Sequence, residues 1–338
     1  MKIDWKSALG FVLSGALLWY VFRSVSIADV WADLQSANWA LLALGTVVAT
    51  CIFPLRARRW RTILEPTAGA IGFGPLWRGT AIGMMMNNVL PMRAGEFARA
   101  FSLTREVPAV RITTSLSSLA VDRIFDAIVL LALMFLAMLD GAFPLGVEFA
   151  GQTMTQLAVA GIGLVGGVLL VCYFAVLQRT RVLDIVSRLA HRVVPKHATH
   201  VVEFVDHGIG GLAVLRDSRR FFAVLWWATA HWLVHALGLY IAMMAFGVDV
   251  PFSAALFLQG IIGIGVAAPS SPGFFGVFEA ISVIGLGVYG VTEQLALSWA
   301  LTYHILSFIP ITVMGAVYFM RLGVSLAAVA GAKSDVQS

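Results

Sequence analysis

Runs of apolar residues, each roughly 20 residues or more and so able to cross about 30 Å of hydrocarbon, recur at about 5–23, 39–56, 113–139, 154–177, 221–247 and 295–320. They predict six full spans. Two further apolar segments, about 75–104 and 252–290, are interrupted midway by PMRAG, from Pro91 to Gly95, and by PSSPG, from Pro269 through Pro272 to Gly273. Proline and glycine break helices at such points, so each of these segments is expected to form two half-helices. The first run follows Lys2 and Lys6 and ends in Arg23-Ser24 without a small-residue cleavage site, which reads as a retained helix and not a leader.

Composition agrees with the pattern. Apolar residues make up 59% of 338 positions and charged residues 12%, about half the charged share of a soluble domain. No polar stretch is long enough for a soluble domain, so residues 1–338 read as a single membrane domain. Cys51 and Cys172 lie within apolar runs and read as small hydrophobes, neither a disulfide nor a metal pair.

Charge then orients the spans, because basic residues concentrate in cytoplasmic connections. Arg56, Arg58, Arg59 and Arg61 follow the second run, and eight Lys and Arg residues from Arg179 to Arg220 follow the fourth. No Lys or Arg lies between Arg123 and Arg179 or between Arg220 and Arg321, so the connections there face outward and both termini are cytoplasmic. The broken segment 75–104 has basic residues at both ends, and 252–290 has none. The expected fold is therefore an all-α polytopic membrane protein of about six full spans plus two oppositely oriented re-entrant broken-helix hairpins. Residues 1–140 and 154–320 form its two inverted repeats, with a central site of the kind transporters use. The competing reading is that Pro and Gly only kink ordinary spans. Segment 178–220 is expected to be a cytoplasmic basic amphipathic piece, either lying on anionic lipid or a solvated loop that sets topology.

Ionisable residues inside spans are costly and mark candidate sites. Asn87, Asn88, Arg93, Glu96 and Arg99 flank the first break. If a half-helix starts near Gly95, its free N–H groups favour an anion such as a lipid phosphate. Arg93 and Arg99 suit bidentate phosphate binding, with Glu96 orienting an arginine or exchanging a proton. The alternative is a network that only holds the hairpin tip together. Asp122, Arg123 and Asp126 sit within the third span, the two aspartates one turn apart, and need partners that the Arg93–Glu96–Arg99 group can supply. Glu279, after the second break, suits proton coupling or a hydrogen bond to the broken backbone. His304, beside Tyr303, either lines the cavity or is a core histidine. His231 and His235 have the spacing of a metal pair but no following Glu and no third ligand, so packing roles are expected. Trp5, Trp39, Trp77, Trp226 and Trp227 read as interfacial anchors. No nucleotide-binding loop, hydrolase elbow or zinc motif is present, and neither metal nor cofactor is expected.

Three ordered blocks, NNVLPMRAGEFARAFSL, AVDRIFDAIVLL and APSSPGFFGVFEA, resemble the flippase-like membrane domain of lysylphosphatidylglycerol synthases and its stand-alone relatives, over about residues 75–315. The resemblance places family positions on Asn88, Pro91, Arg93, Gly95, Glu96 and Arg99, on Asp122, Arg123 and Asp126, and on Pro269, Pro272, Gly273, Gly276 and Glu279. Phe274 stands where the family has a second glycine, and Tyr303-His304 where a Tyr-Arg pair is expected. The synthases' soluble aminoacyltransferase domain has no counterpart in this sequence. The resemblance implies a lipid flippase or transporter of a prokaryotic plasma membrane, moving a phospholipid, hopanoid or polyprenyl-linked lipid by alternating access, and not an enzyme. The partners expected are the lipid substrate and anionic lipid at the cytoplasmic surface, not nucleic acid. A membrane-embedded lipid-modifying enzyme using Glu96, Asp122 and Asp126 is the first alternative. A proton-coupled carrier of a small anion is the second.

Overall fold

A computed structural model describes residues 5–23, 25–90, 95–144, 148–149, 152–211, 217–266 and 271–323. The chain begins with α1 (Trp5–Phe22) and a short amphipathic α2 (Ile27–Ser36). The Asn38 side chain then caps α3 (Trp39–Thr50), accepting from the amides of Ala40 and Leu41. At Cys51 the helix bends and continues as α4 (Ile52–Ala68), followed by α5 (Phe73–Val89), α6 (Gly95–Glu106) and α7 (Ile112–Ala137). A two-residue β-ladder, Glu148–Phe149 with Gln152–Thr153, precedes α8 (Met154–Leu177), which a Thr153–Gln156 capping box starts. The basic segment folds into α9 (Arg179–Val193) and α10 (Ala198–Gly211), tied by Arg179 to Asp206 at 2.7 Å. Then come α11 (Ser218–Ala245), capped by Asp217, α12 (Phe252–Gly265), a 3-10 turn at Pro272–Phe274, α13 (Val277–Gly287) and α14 (Glu293–Arg321).

The all-α membrane class holds, but the span count does not. Among the described residues, four helices are long and apolar enough to cross a membrane: Trp39–Ala68, Thr155–Ala175, Ser218–Ala245 and Glu293–Arg321. This overturns the expected six spans with two opposed re-entrant hairpins, and the inverted-repeat scheme that rested on that count goes with it. The reasons are local. Asp122, Arg123 and Asp126 interrupt the apolar stretch of α7, while α12 and α13, of 14 and 11 residues, are too short. The span begun at Trp39 also runs on past residue 56 to Ala68. Pro91, Arg93 and Pro269 lie outside the described residues.

The largest apolar core joins α3, α11, α12 and α14 around Leu42, Leu239, Leu258 and Trp299. A second joins α4, α7 and α11 through Ile63, Phe125 and Val224, with Val182 of α9 and Val205 of α10 packed against it. Helix α14 lies antiparallel along α5. Asn88 Nδ2 donates to Thr312 Oγ1 at 3.0 Å and Trp77 Nε1 to the Tyr318 hydroxyl at 3.1 Å. Trp77 is thus tied into the helix packing, not left as a free interfacial anchor. With α6 and α7 packed alongside, α4 and α5 bring the polar faces of four helices together.

Candidate functional site

Helix periodicity sets up the first cluster. Asp122 and Asp126 stand one turn apart on α7, and Arg56 and Arg59 share a face of α4, so two acidic groups oppose two basic ones. Arg59 bridges the aspartates: Nε donates to Asp122 Oδ1 and Nη1 to Asp126 Oδ1, each at 2.6 Å. From α6, Arg99 Nη1 donates to Asp122 Oδ2 at 3.0 Å. Arg123 reaches Asp126 Oδ2 at 3.2 Å and Glu96 Oε1 at 3.3 Å, while Arg56 stands 3.9 Å from Asp126. Trp232 of α11 donates its indole N–H to Asp126 at 3.1 Å. Arg99 also lies over the Trp60 ring, 4.1 Å from its centroid, and Trp60 is fixed by donating to Ser118 Oγ at 2.9 Å.

Among the described residues this network holds four guanidinium groups and three carboxylates, leaving one positive charge in excess. Arg59 and Asp122 are fully buried and Arg99 nearly so, but the Arg123 side chain is 41% exposed and Glu96 29%. Buried N–H positions remain without an acceptor at Arg56 Nε, Arg59 Nη2 and Arg99 Nε and Nη2. A narrow cavity lined by Arg56, Thr80, Asn87, Glu96 and Arg99 opens beside them. Its wall depends on glycine. A Cβ on Gly95 would collide with the Gly83 carbonyl oxygen, so α5 and α6 approach more closely than any side chain permits. The space measures about 10 Å³, room for one water, so an anion accepting from the unused guanidinium hydrogens there needs α5 and α6 to part; charge-assisted bonds of that kind are the strong ones.

The second cluster lies elsewhere, eight residues or about 12 Å along α14 from Thr312. His304 Nδ1 is 2.7 Å from Glu279 Oε1, and His304 Nε2 is 2.8 Å from the Gly273 carbonyl oxygen. A carbonyl only accepts, so Nε2 carries hydrogen. The Nδ1 contact then requires one further proton, held on the imidazole or on the carboxyl, and the pair is neutral overall. Glu279 Oε2 accepts from the Gly276 amide at 2.6 Å, capping α13. Phe275 stacks on the imidazole at 4.4 Å. Gly276 has φ 86° and faces the Ser14 carbonyl of α1 at a distance that excludes a Cβ.

The structure thus brings Glu96, Arg99, Asp122, Arg123 and Asp126 together, as their chemistry required, and pairs Glu279 with His304 in a separate place. Asn87 lines the cavity and accepts from the Gly95 amide at 2.9 Å, so the first N–H of α6 is already taken. Asn88 turns away to α14. The sequence reading missed Arg56 and Arg59, which the charge rule had assigned to a cytoplasmic flank, and Trp60 and Trp232. His231 packs on Trp232 with Nδ1 3.7 Å from Asp126, and His235 Nδ1 is 3.2 Å from Gln259 Oε1.

Comparison with known proteins places the chain in a family. A family described as the lysylphosphatidylglycerol synthase TM region matches residues 7–315, extending the resemblance drawn from three blocks. A UPF0104 membrane protein of Methanothermobacter thermautotrophicus is 27% identical, covering 94% of this chain and 93% of its own. UPF0104 membrane protein PH1989 of Pyrococcus horikoshii is 23% identical over 93% and 95% of the two chains. Glycosyltransferase AglD of Haloferax volcanii is 25% identical over 97% of this chain, which spans only 56% of that protein. The match is to a transmembrane region, and these relatives are prokaryotic. The chain is a multi-pass membrane protein with a lipid-related function, and it belongs to the family of the lysylphosphatidylglycerol synthase transmembrane region.

Proposed function

We propose that this protein is a lipid flippase, or related lipid transporter, whose anionic headgroup site is the Arg56–Arg59–Arg99–Arg123 cluster. One observation carries the reading: guanidinium groups outnumber carboxylates, several of their N–H donors are unused, and one arginine is open to the surroundings. A network serving stability alone gains nothing from an excess buried charge. Glu96 and Asp126 hold Arg123 between them, and a phosphate arriving at Arg123 takes over part of that role. The flat amphipathic side of α9 supports a second lipid contact. Ile185, Leu189 and Val193 are exposed at helical spacing beside Arg181, Arg188 and Arg192, as on a helix resting against anionic headgroups.

Reconstitution into phosphatidylcholine vesicles containing fluorescent phosphatidylglycerol tests the transport reading. Arg123→Gln is expected to slow exchange between leaflets about tenfold, the equivalent of about 1.4 kcal/mol, and Glu96→Gln by less. Wild-type rates in both variants would overturn the site.

A further inference from the structure

A second cavity lies on the flank of the molecule where α3 bends into α4. It is lined by Val47, Cys51 and Pro54, by Trp77 of α5 and by Pro310 of α14, and offers about 400 Å³, toward the lower end of the ~300–1,000 Å³ range of ligand sites. Its polar atoms are spoken for. Thr46 and Thr50 also line it, but their hydroxyls donate to the carbonyls of Leu42 and Thr46 at 2.8 Å each, leaving the surface apolar. Val47 at its mouth is 61% exposed.

The groove and the charged cavity share one helix face. Trp77 lines the groove, while Thr80 and Met84 line the cavity beside Arg56 and Arg99. On α5 these three residues fall within about 60° of one another and within about 10 Å along the axis. A ligand with an anionic end at the arginines therefore meets an apolar trough on the same face, open to the lipid side.

We infer that the groove at the α3–α4 bend holds a hydrocarbon chain of the lipid whose headgroup occupies the arginine cluster. The inference rests on the headgroup reading and narrows its substrate to a lipid with an anionic head and at least one extended tail. Because bilayer and groove are both apolar, the groove contributes packing selectivity among chains and not a large hydrophobic gain.

The test compares two probes on the purified full chain. Dioleoyl phosphatidylglycerol retained through purification is quantified by mass spectrometry, and glycerol phosphate, which has no tail, is followed by its shift of thermal unfolding. Val47→Trp, a change at an exposed position that fills the groove mouth, is expected to lower retained lipid roughly tenfold and leave the glycerol phosphate shift intact. Cys51→Trp is expected to do the same from one turn further along that wall. Retention equal to wild type in both variants overturns the groove. Failure of the headgroup reading looks different: glycerol phosphate gives no shift in the wild type, and Arg123→Gln retains as much lipid as wild type. The tryptophan variants decide the groove in either case.

Discussion

The two polar clusters both sit beside proline- and glycine-rich breaks, yet they are built on opposite principles. At Glu279 and His304 the groups close on one another: carboxylate, imidazole, amide and carbonyl satisfy each other, one proton is shared, and aromatic rings cover the pair. At the arginine cluster the count cannot close. Four guanidinium groups bring about twenty N–H donors to three carboxylates with about twelve lone-pair sites, and Arg56 and Arg99, both with unused donors, line a cavity. The first arrangement fixes backbone. The second leaves donors for something else to occupy, and that difference in satisfaction, more than burial or proximity to a break, separates a structural knot from a ligand site.

The largest expected effect comes from breaking the cluster where it is closed. Asp122 is fully buried and accepts from both Arg59 and Arg99, so Asp122→Asn takes the carboxylate that Arg99 donates to and leaves Arg59 with Asp126 alone. Loss of one partner of such a network costs about 3–5 kcal/mol. The variant should lose most of its monodisperse fraction in size-exclusion chromatography. If it behaves as wild type, the closed half of the comparison is wrong for Asp122.

Glu279 tests the self-satisfied cluster. In Glu279→Gln the amide oxygen still accepts from Gly276 and the NH₂ donates to His304 Nδ1, so a loss under about 1 kcal/mol is expected. Glu279→Ala removes both partners and should cost about 2–3 kcal/mol for the groups left unpaired. Thermal unfolding in detergent gives both values. A glutamine variant as unstable as the alanine one would mean that the charge, and not the hydrogen-bond pattern, holds the pair together.

Arg123→Gln should invert that order of consequences. Its side chain is 41% exposed as a whole, and although its Nη2 is buried against Asp126, that carboxylate keeps Arg59 when Arg123 is lost, so the cost stays nearer the ~0–1 kcal/mol of half-exposed pairs than the cost at Asp122. Unfolding is therefore expected to shift little, while lipid exchange falls about tenfold. Equal effects on both measurements would place Arg123 with the structural residues.

Part of this arrangement is legible in the sequence. The one-turn spacing of Asp122 and Asp126 shows two carboxylates on one face that need cations; Arg99 meets Asp122, and Glu96 joins through Arg123. Arg56 and Arg59 were not legible as site residues, because four arginines after an apolar run satisfy the charge rule whichever way each side chain points. A signal was present in the stripe Phe53, Arg56, Trp60, Ile63 and Leu64, where an arginine shares a helical face with large apolar residues that prove buried. The span count failed for a related reason. Apolar runs show where a helix can lie but not where it ends, and neither the continuation across Cys51 to Ala68 nor the shortness of α12 and α13 follows from hydropathy.

The smallest expected effect concerns a turn residue beside the closed cluster. Phe274 adopts φ 64°, the described non-glycine residue with positive φ, directly after Gly273 at φ 70°. An L-residue with a Cβ pays roughly 1–2 kcal/mol there, which glycine avoids. Phe274→Gly recovers that strain but adds backbone entropy to the unfolded chain, which costs about 0.5–1 kcal/mol. A net gain of about 0.5 kcal/mol is expected, seen as a rise of a degree or two in the unfolding midpoint, with the Glu279–His304 contact unchanged. A clear loss of stability would show that the Phe274 ring does more for the turn than its backbone angle costs, and that the second cluster is held by aromatic packing as much as by its shared proton.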